Sequence, residues 1–228
     1  MSGRDQFTFS FDHRPALSGE DFLVSGCNRD AVAWLDRWPD WPAPALVIFG
    51  PAGSGKTHLA QVFFFQSGAR AITSAELRRL DPSALVGDSA ACLLENAEGV
   101  LAEGGEEPLL HLYNYVQESG RHMMLTAKLP PARWNFGLDD LASRLKAAPQ
   151  AGIGPPDDGL IAAVLVKQFA DRQLKVDDDV ITYLLRRMER SFAAARSMVG
   201  AIDDLSLAER RNITVPLVRQ VLATQEVK

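Results

Sequence analysis

The segment Gly50-Pro51-Ala52-Gly53-Ser54-Gly55-Lys56-Thr57 follows the apolar run Ala45 to Phe49 and leads into a helical pattern. Its spacing is G-x-x-x-x-G-K-[ST], in the strand-to-helix context that this phosphate-binding loop requires. Glycines there admit backbone angles and a close approach that side chains forbid, so successive N–H groups turn inward on an anion. Lys56 adds charge towards the β and γ phosphates of a nucleotide, and Thr57 offers its hydroxyl to Mg²⁺. The helix that follows, with His58 in its first turn, presents its positive end. Pro51 is tolerated because it has no N–H that the cradle must supply. These residues make ADP or ATP, with Mg²⁺, the expected cofactors.

Short apolar runs alternate with helical patterns on both sides of that loop. They are Ala45 to Phe49, Ala69 to Thr73, Ala91 to Leu94, His122 to Thr126 and Ala151 to Ile153. Such alternation predicts an α/β fold with a doubly wound, parallel, five-stranded sheet. Gly152 to Gly159 is the strongest break in the chain. Beyond it the pattern is purely helical, over Leu160 to Arg172, Val180 to Met188, Ala193 to Arg210 and Val215 to Ala223. Asp177 to Asp179 mark one helix start, and Thr214 caps another whose second position holds Pro216. The expected organisation is an extended tail over 1–12, a nucleotide-binding α/β domain over 13–154 and a small helical lid over 155–228.

Composition narrows the partners. The chain carries a net charge of −5, and from Asp157 onward 11 basic residues face 11 acidic ones. With no basic excess in either part, strong autonomous DNA binding is not expected. Cys27 and Cys92 form neither a disulfide framework nor a CxxC metal pair. No apolar run approaches the roughly 18 residues of a membrane span, and the opening residues do not resemble an export signal. A cytoplasmic protein with no membrane partner is expected.

Nucleotide hydrolysis needs an acid at a neighbouring strand end to hold Mg²⁺, and usually a second to orient water. The segment Ala91-Cys92-Leu93-Leu94-Glu95-Asn96-Ala97-Glu98 offers Glu95 in the metal position and Asn96 in place of the second acid. An amide cannot accept a proton at neutral pH, so intrinsic hydrolysis is expected to be weak. A buried strand ending in polar loop residues reads the same segment without chemistry, with Cys92 as a small core hydrophobe. Thr126, at the end of the fourth run, fits either a γ-phosphate contact or turn chemistry. Leu138, Leu141 and Leu145 form one helix stripe with Arg144 to its side. Such an arginine fits a finger inserted into another subunit's nucleotide site, or an ordinary surface residue.

Taken together, these segments resemble an AAA+ ATPase, and more closely the DnaA initiator family. Phe22-Leu23-Val24-Ser25-Gly26-Cys27-Asn28 resembles the family's nucleotide-base segment, and Leu112-Tyr113-Asn114 to Arg121 its helix-to-strand step. Leu138-Asp139-Asp140-Leu141-Ala142-Ser143-Arg144-Leu145 is similar to the arginine-finger box. Ala195-Arg196-Ser197-Met198-Val199-Gly200-Ala201-Ile202 resembles the lid segment whose arginine, here Arg196, senses the bound nucleotide. The resemblance covers nearly all of Phe22 to Ala223. It implies base contacts at Leu23 and Val24, a finger at Arg144 acting in trans, and a lid whose angle sets how that finger is presented.

Two departures matter. An initiator would continue into a helix-turn-helix domain, whereas this sequence has one short helix after Asn212, so the expectation is a family member without the DNA-binding domain. Lys128 stands where the family has an acid, which further weakens expected turnover. The tail supplies a separate pointer: Gln6-Phe7-Thr8-Phe9-Ser10-Phe11 resembles the Gln-led peptide by which replication proteins dock on the sliding clamp. When extended, it puts Phe7, Phe9 and Phe11 on one side for an apolar pocket, with Gln6 free to bond at the rim. An edge strand packed on its own domain is the alternative.

The resemblance thus implies a negative regulator of replication initiation with two partners, the sliding clamp and the DnaA initiator, and head-to-tail contacts that leave a homo-oligomer open. Rival expectations are a helicase-loader-type ATPase, an autonomous P-loop NTPase and an adaptor without nucleotide. His111 and His122 lack partners at metal-ligand spacing and receive no chemistry.

Overall fold

The computed structural model describes residues 12–14 and 22–225. They divide into two compact units, one holding Phe22 and the chain from Gly26 to Gly154 and the other joining 12–14 and Leu23–Ser25 to the chain from Pro155 onward.

In the first unit five strands form one parallel sheet. They are β3 (Ala45–Phe49), β4 (Arg70–Ile72), β5 (Ala91–Leu94), β6 (His122–Ala127) and β7 (Gln150–Gly152), in the order β4-β5-β6-β3-β7. Each pairing is parallel, and Phe49 of β3 lies in register with Ala127 of β6. β3 and β5 read as uninterrupted apolar runs because both faces of an inner parallel strand are covered by helices. Accordingly Leu46, Ile48, Cys92 and Leu94 are buried.

The helices of this unit are α1 (Arg29–Asp36), α2 (Lys56–Ser67), α3 (Ser74–Leu77), α4 (Pro82–Val86), α5 (Ala97–Ala102), α6 (Glu106–Glu118) and α7 (Asp139–Ala147), with a 3₁₀ turn at Pro131–Arg133. The stripe Leu109, Leu112, Tyr113 and Val116 of α6 and the pair Leu141 and Leu145 of α7 pack into one core with Leu94, Met123 and Leu125. Two tryptophans close the edge beside α2. Trp41 stacks on Phe63 at 5.4 Å between ring centroids, and Trp38 meets the same ring edge-on at 6.1 Å.

The second unit holds a two-stranded sheet, β1 (Asp12–Arg14) with β2 (Phe22–Val24), and a set of helices. These are α8 (Asp158–Asp171), α9 (Asp178–Leu185), α10 (Phe192–Glu209) and α11 (Val215–Gln225). Asp157 caps α8 by accepting from Leu160 N at 2.7 Å, and Ser191 caps α10 by accepting from Ala194 N at 3.0 Å. Leu165, Phe169, Leu184, Val199, Ile202 and Leu217 form the core of this unit. The α/β sheet and the helical lid expected from the sequence are both present.

Candidate functional site

Because every strand of the sheet is parallel, the carboxyl ends of β3, β5, β6 and β7 share one edge, where open α/β sheets bind ligands. The phosphate loop leaves β3 at that edge. Gly50 N donates to Ala127 O at 3.2 Å, and Ile153 N donates to Phe49 O at 2.7 Å, so both neighbouring strand ends hold the start of the loop. A Cβ on Gly50 would stand 2.4 Å from Ile153 O, which leaves glycine as the residue that fits. Gly55 caps α2 with φ 96°, in the left-handed region, and turns the chain into the helix. Lys56 Nζ donates to the carbonyls of Gly50 and Pro51, each at 2.7 Å. Burial holds its ammonium below the ordinary lysine value; Glu98 and Glu95 oppose that shift, and Lys128 adds to it.

The loop also buries Ser54, whose hydroxyl has no hydrogen-bond partner among the described residues. That orphaned donor, the glycine cradle and the lysine beneath it fit a phosphate chain. Ala52 and Gly53 complete the loop, and His58 is half-buried in the first turn of α2.

At the end of β5, Glu95 Oε2 accepts the Thr57 hydroxyl at 2.8 Å. A carboxylate and a hydroxyl held this close are the donor set that a phosphate-bound Mg²⁺ takes from such a site. Among the described residues no group of three His, Cys, Asp or Glu could hold a metal, so a divalent ion here would take further ligands from phosphate and water. Asn96 caps α5 with φ 56° and ψ 47°, a conformation that Asn tolerates far better than most residues. Its backbone N donates to Thr126 Oγ1 at 3.2 Å, so the buried Thr126 ties the ends of β5 and β6 together.

Glu98 closes this segment, and the sequence alone predicts no role for it. Its two carboxylate oxygens accept from Lys128 N and Leu129 N, each at 3.0 Å, and so hold the chain leaving β6. Trp134 Nε1 donates to Leu129 O at 2.7 Å and fixes the next stretch. No local pattern announces the Glu98 bonds, since their partners lie far apart in sequence.

Arg144 lies on α7, half-buried against α6. Its Nε donates to Asp140 Oδ1 at 2.8 Å, its Nη1 donates to Gln117 Oε1 at 2.9 Å, and its guanidinium sits 5.4 Å from the centre of the Tyr113 ring. The bond to Asp140 pushes the arginine above its ordinary value, and it stays a cation. Tyr113 and Gln117 belong to the helix-to-strand segment Leu112 to Arg121; that they hold Arg144 is not legible in the sequence.

Leu23, Val24 and Arg196 belong to the lid unit. Leu23 is buried and Val24 half-buried at β2, and Arg196 is exposed on α10. Gln6, Phe7, Phe9 and Phe11 lie outside the described residues. Among those residues, no helix is long and apolar enough to cross a membrane.

Residues 157–222 match the family model of the Hda lid domain. Among solved structures, the chain is similar to domain III of the Thermotoga maritima replication initiation protein DnaA, with a TM-score of 0.77 and 18% identity over 89% of this chain and 94% of that one. It is also similar to replication initiator DnaA bound to AMPPCP and single-stranded DNA, with a TM-score of 0.65 and 20% identity, covering 83% of this chain and 66% of that longer one. A Thermotoga maritima RuvB carrying a single substitution matches at a TM-score of 0.65 and 11% identity, over 87% of this chain and 68% of that one.

Proposed function

From a DnaA-like AAA+ fold that carries an Hda-type lid, we propose that this chain is a nucleotide-bound regulator that shuts replication initiation down by making the initiator hydrolyse its own ATP. The observation that carries this reading is the pairing of that lid with an arginine, Arg144, which bonds to Asp140 and Gln117 rather than to the phosphate loop. An activator in trans requires an arginine that its own phosphate loop does not engage.

In this reading Gly50 to Thr57 would hold ADP or ATP, and Thr57 and Glu95 would hold Mg²⁺, which would neutralise phosphate charge. By the same resemblance Leu23, Val24 and His58 belong to the nucleotide-binding residues, and Arg196 is the arginine that senses the bound nucleotide. The chain's own turnover is weak, because Asn96 cannot act as a base. Gln6, Phe7, Phe9 and Phe11 dock on the sliding clamp, which brings Arg144 to DnaA in the cytoplasm. The guanidinium then stabilises charge developing on the γ-phosphate of the partner's ATP, an effect worth roughly 10³- to 10⁵-fold in other arginine-finger systems.

The test is single-turnover ATP hydrolysis by cognate DnaA with clamp loaded on DNA, comparing wild type, Arg144→Ala and the triple variant Gln6→Ala, Phe9→Ala, Phe11→Ala. Wild type should accelerate hydrolysis and both variants should not. Equal acceleration by Arg144→Ala would remove the finger, and equal acceleration by the tail variant would remove the clamp.

A further inference from the structure

One acidic side chain outside every site described so far holds the entry to α7. Glu106, the first residue of α6, directs its carboxylate at the backbone just ahead of the finger helix. Its Oε1 accepts from Gly137 N at 2.8 Å and from Leu138 N at 2.9 Å, and its Oε2 accepts from Gly137 N at 3.0 Å. Leu138 is the N-cap of α7 and has no side-chain cap bond of its own, as a leucine must. The backbone N–H of that cap residue, and of Gly137 before it, is instead held by a carboxylate from a helix 32 residues upstream. A carboxylate at a helix N-terminus is also favoured by the aligned peptide dipoles.

The other end of the same helix pair carries Arg144. From α6, Gln117 and Tyr113 meet its guanidinium, so α6 grips α7 at its entry through Glu106 and near its last turn through the arginine itself. Between these points Leu141 and Leu145 pack in the shared core with Leu109 and Leu112. Lys146 sits 5.6 Å from the centre of the Phe136 ring, and Phe136 in turn lies 5.7 Å from Trp134, which stiffens the approach to Gly137.

We infer that Glu106 is a positioning residue for Arg144: it sets the register and tilt of α7 on α6, and through them where the finger stands when a partner's nucleotide arrives. The inference rests on the finger role assigned to Arg144 above. Near-attack geometry is steep, so a displacement of about 1 Å far from the chemistry can cost about a hundredfold in rate. Removing three hydrogen bonds at the entry of a nine-residue helix frees that end to shift.

The experiment is clamp-dependent ATP hydrolysis by DnaA at saturating and sub-saturating regulator, with Glu106→Ala, Glu106→Gln, Arg144→Ala, the double variant Glu106→Ala/Arg144→Ala, and Glu107→Ala as the control on the same helix. Glu106→Ala should lower the maximal stimulated rate about tenfold while leaving half-saturation unchanged, because docking is intact and only the finger is displaced. Glu106→Gln keeps an acceptor for both amides and should retain most of the rate. In the Arg144→Ala background Glu106→Ala should add no further loss. Amide exchange at Leu138 should be slowed in wild type and in Glu106→Gln and faster in Glu106→Ala, a readout that needs no partner. Full stimulation by Glu106→Ala, an additive loss in the double variant, or unprotected Leu138 exchange in wild type would overturn the inference. If wild type itself fails to stimulate DnaA, the regulator reading is the one that fails. Should Glu106→Ala not fold, the wild-type exchange measurement and Glu106→Asp, whose shorter side chain draws the carboxylate back from Gly137 and Leu138, decide the question.

Discussion

Thr57 and Glu95, 38 residues apart in sequence, meet with the hydroxyl 2.8 Å from Glu95 Oε2. One comes from the first turn of α2 and the other from the end of β5, and the parallel sheet sets both at its carboxyl edge. If the pair shares a divalent ion with the phosphates, chelating Mg²⁺ should weaken ADP binding to wild type. Glu95→Ala should bind as wild type does under chelation, with no further response to the metal. Titration with a fluorescent ADP analogue, with and without EDTA, checks this; an unchanged metal response in Glu95→Ala would exclude Glu95 as a ligand.

Gly50→Ala should destabilise the fold as well as abolish nucleotide binding. The new Cβ would lie 2.4 Å from Ile153 O, a backbone atom that cannot swing aside. Overpacking of this kind costs about 1–3 kcal/mol, which urea denaturation would register as a lower midpoint at constant slope. Lys56→Ala, by contrast, should lose affinity with little change in stability, because its two carbonyl bonds lie at a partly exposed loop.

Arg144→Lys should behave like Arg144→Ala in the DnaA hydrolysis assay. A lysine can reach one of Asp140 and Gln117 but lacks the planar fork that bonds both while resting on Tyr113. Stimulation by the lysine variant within about threefold of wild type would show that charge alone suffices.

Stability should fall with acid partly through His122. Its ring lies 5.5 Å from that of Trp41, and burial lowers its pKa below the ordinary 6.5, with Asp40 opposing. The folded state therefore resists protonation more than the unfolded chain. This group's contribution is complete above the unfolded value and is lost as pH falls from there towards the folded one. Melting temperature followed from about pH 7.5 to about pH 5.5 should drop more steeply in wild type than in His122→Phe. Parallel slopes would remove His122 from the account.

Cys92 should resist alkylation while the protein is folded. It is buried in β5, which pushes its thiol up to about 12 and leaves almost no thiolate at neutral pH. Mass spectrometry after iodoacetamide treatment should find Cys92 unmodified in native protein and modified after unfolding. Native-state labelling would mean that β5 opens readily.

The inner strands are legible in the chain to within a residue. The apolar runs Ala45 to Phe49 and Ala91 to Leu94 coincide with β3 and β5, and the run ending at Thr126 continues one residue to Ala127. Such elements can be read because hydrophobic period and run length are properties of neighbouring residues. Asn96 shows what reading by type leaves out: the sequence sets it in the place of the second acid, and the backbone has its own use for it at φ 56°. Glu98 and Glu106 escape sequence reading for a related reason. Each spends its carboxylate on main-chain N–H groups about 30 residues away, which any sequence would supply.

By itself, then, the sequence determined the strand-to-helix phosphate loop, the parallel α/β class and the helical lid, since spacing, periodicity and the glycine pattern act over a few residues. Tertiary structure brought Glu95 to Thr57, as their shared metal role in the sequence implied, and it alone decided that α6 seats Arg144 and that Glu106 anchors the helix bearing it. Those relationships are set when the sheet aligns its strand ends and two helices share one core, a geometry that no short stretch of chain encodes.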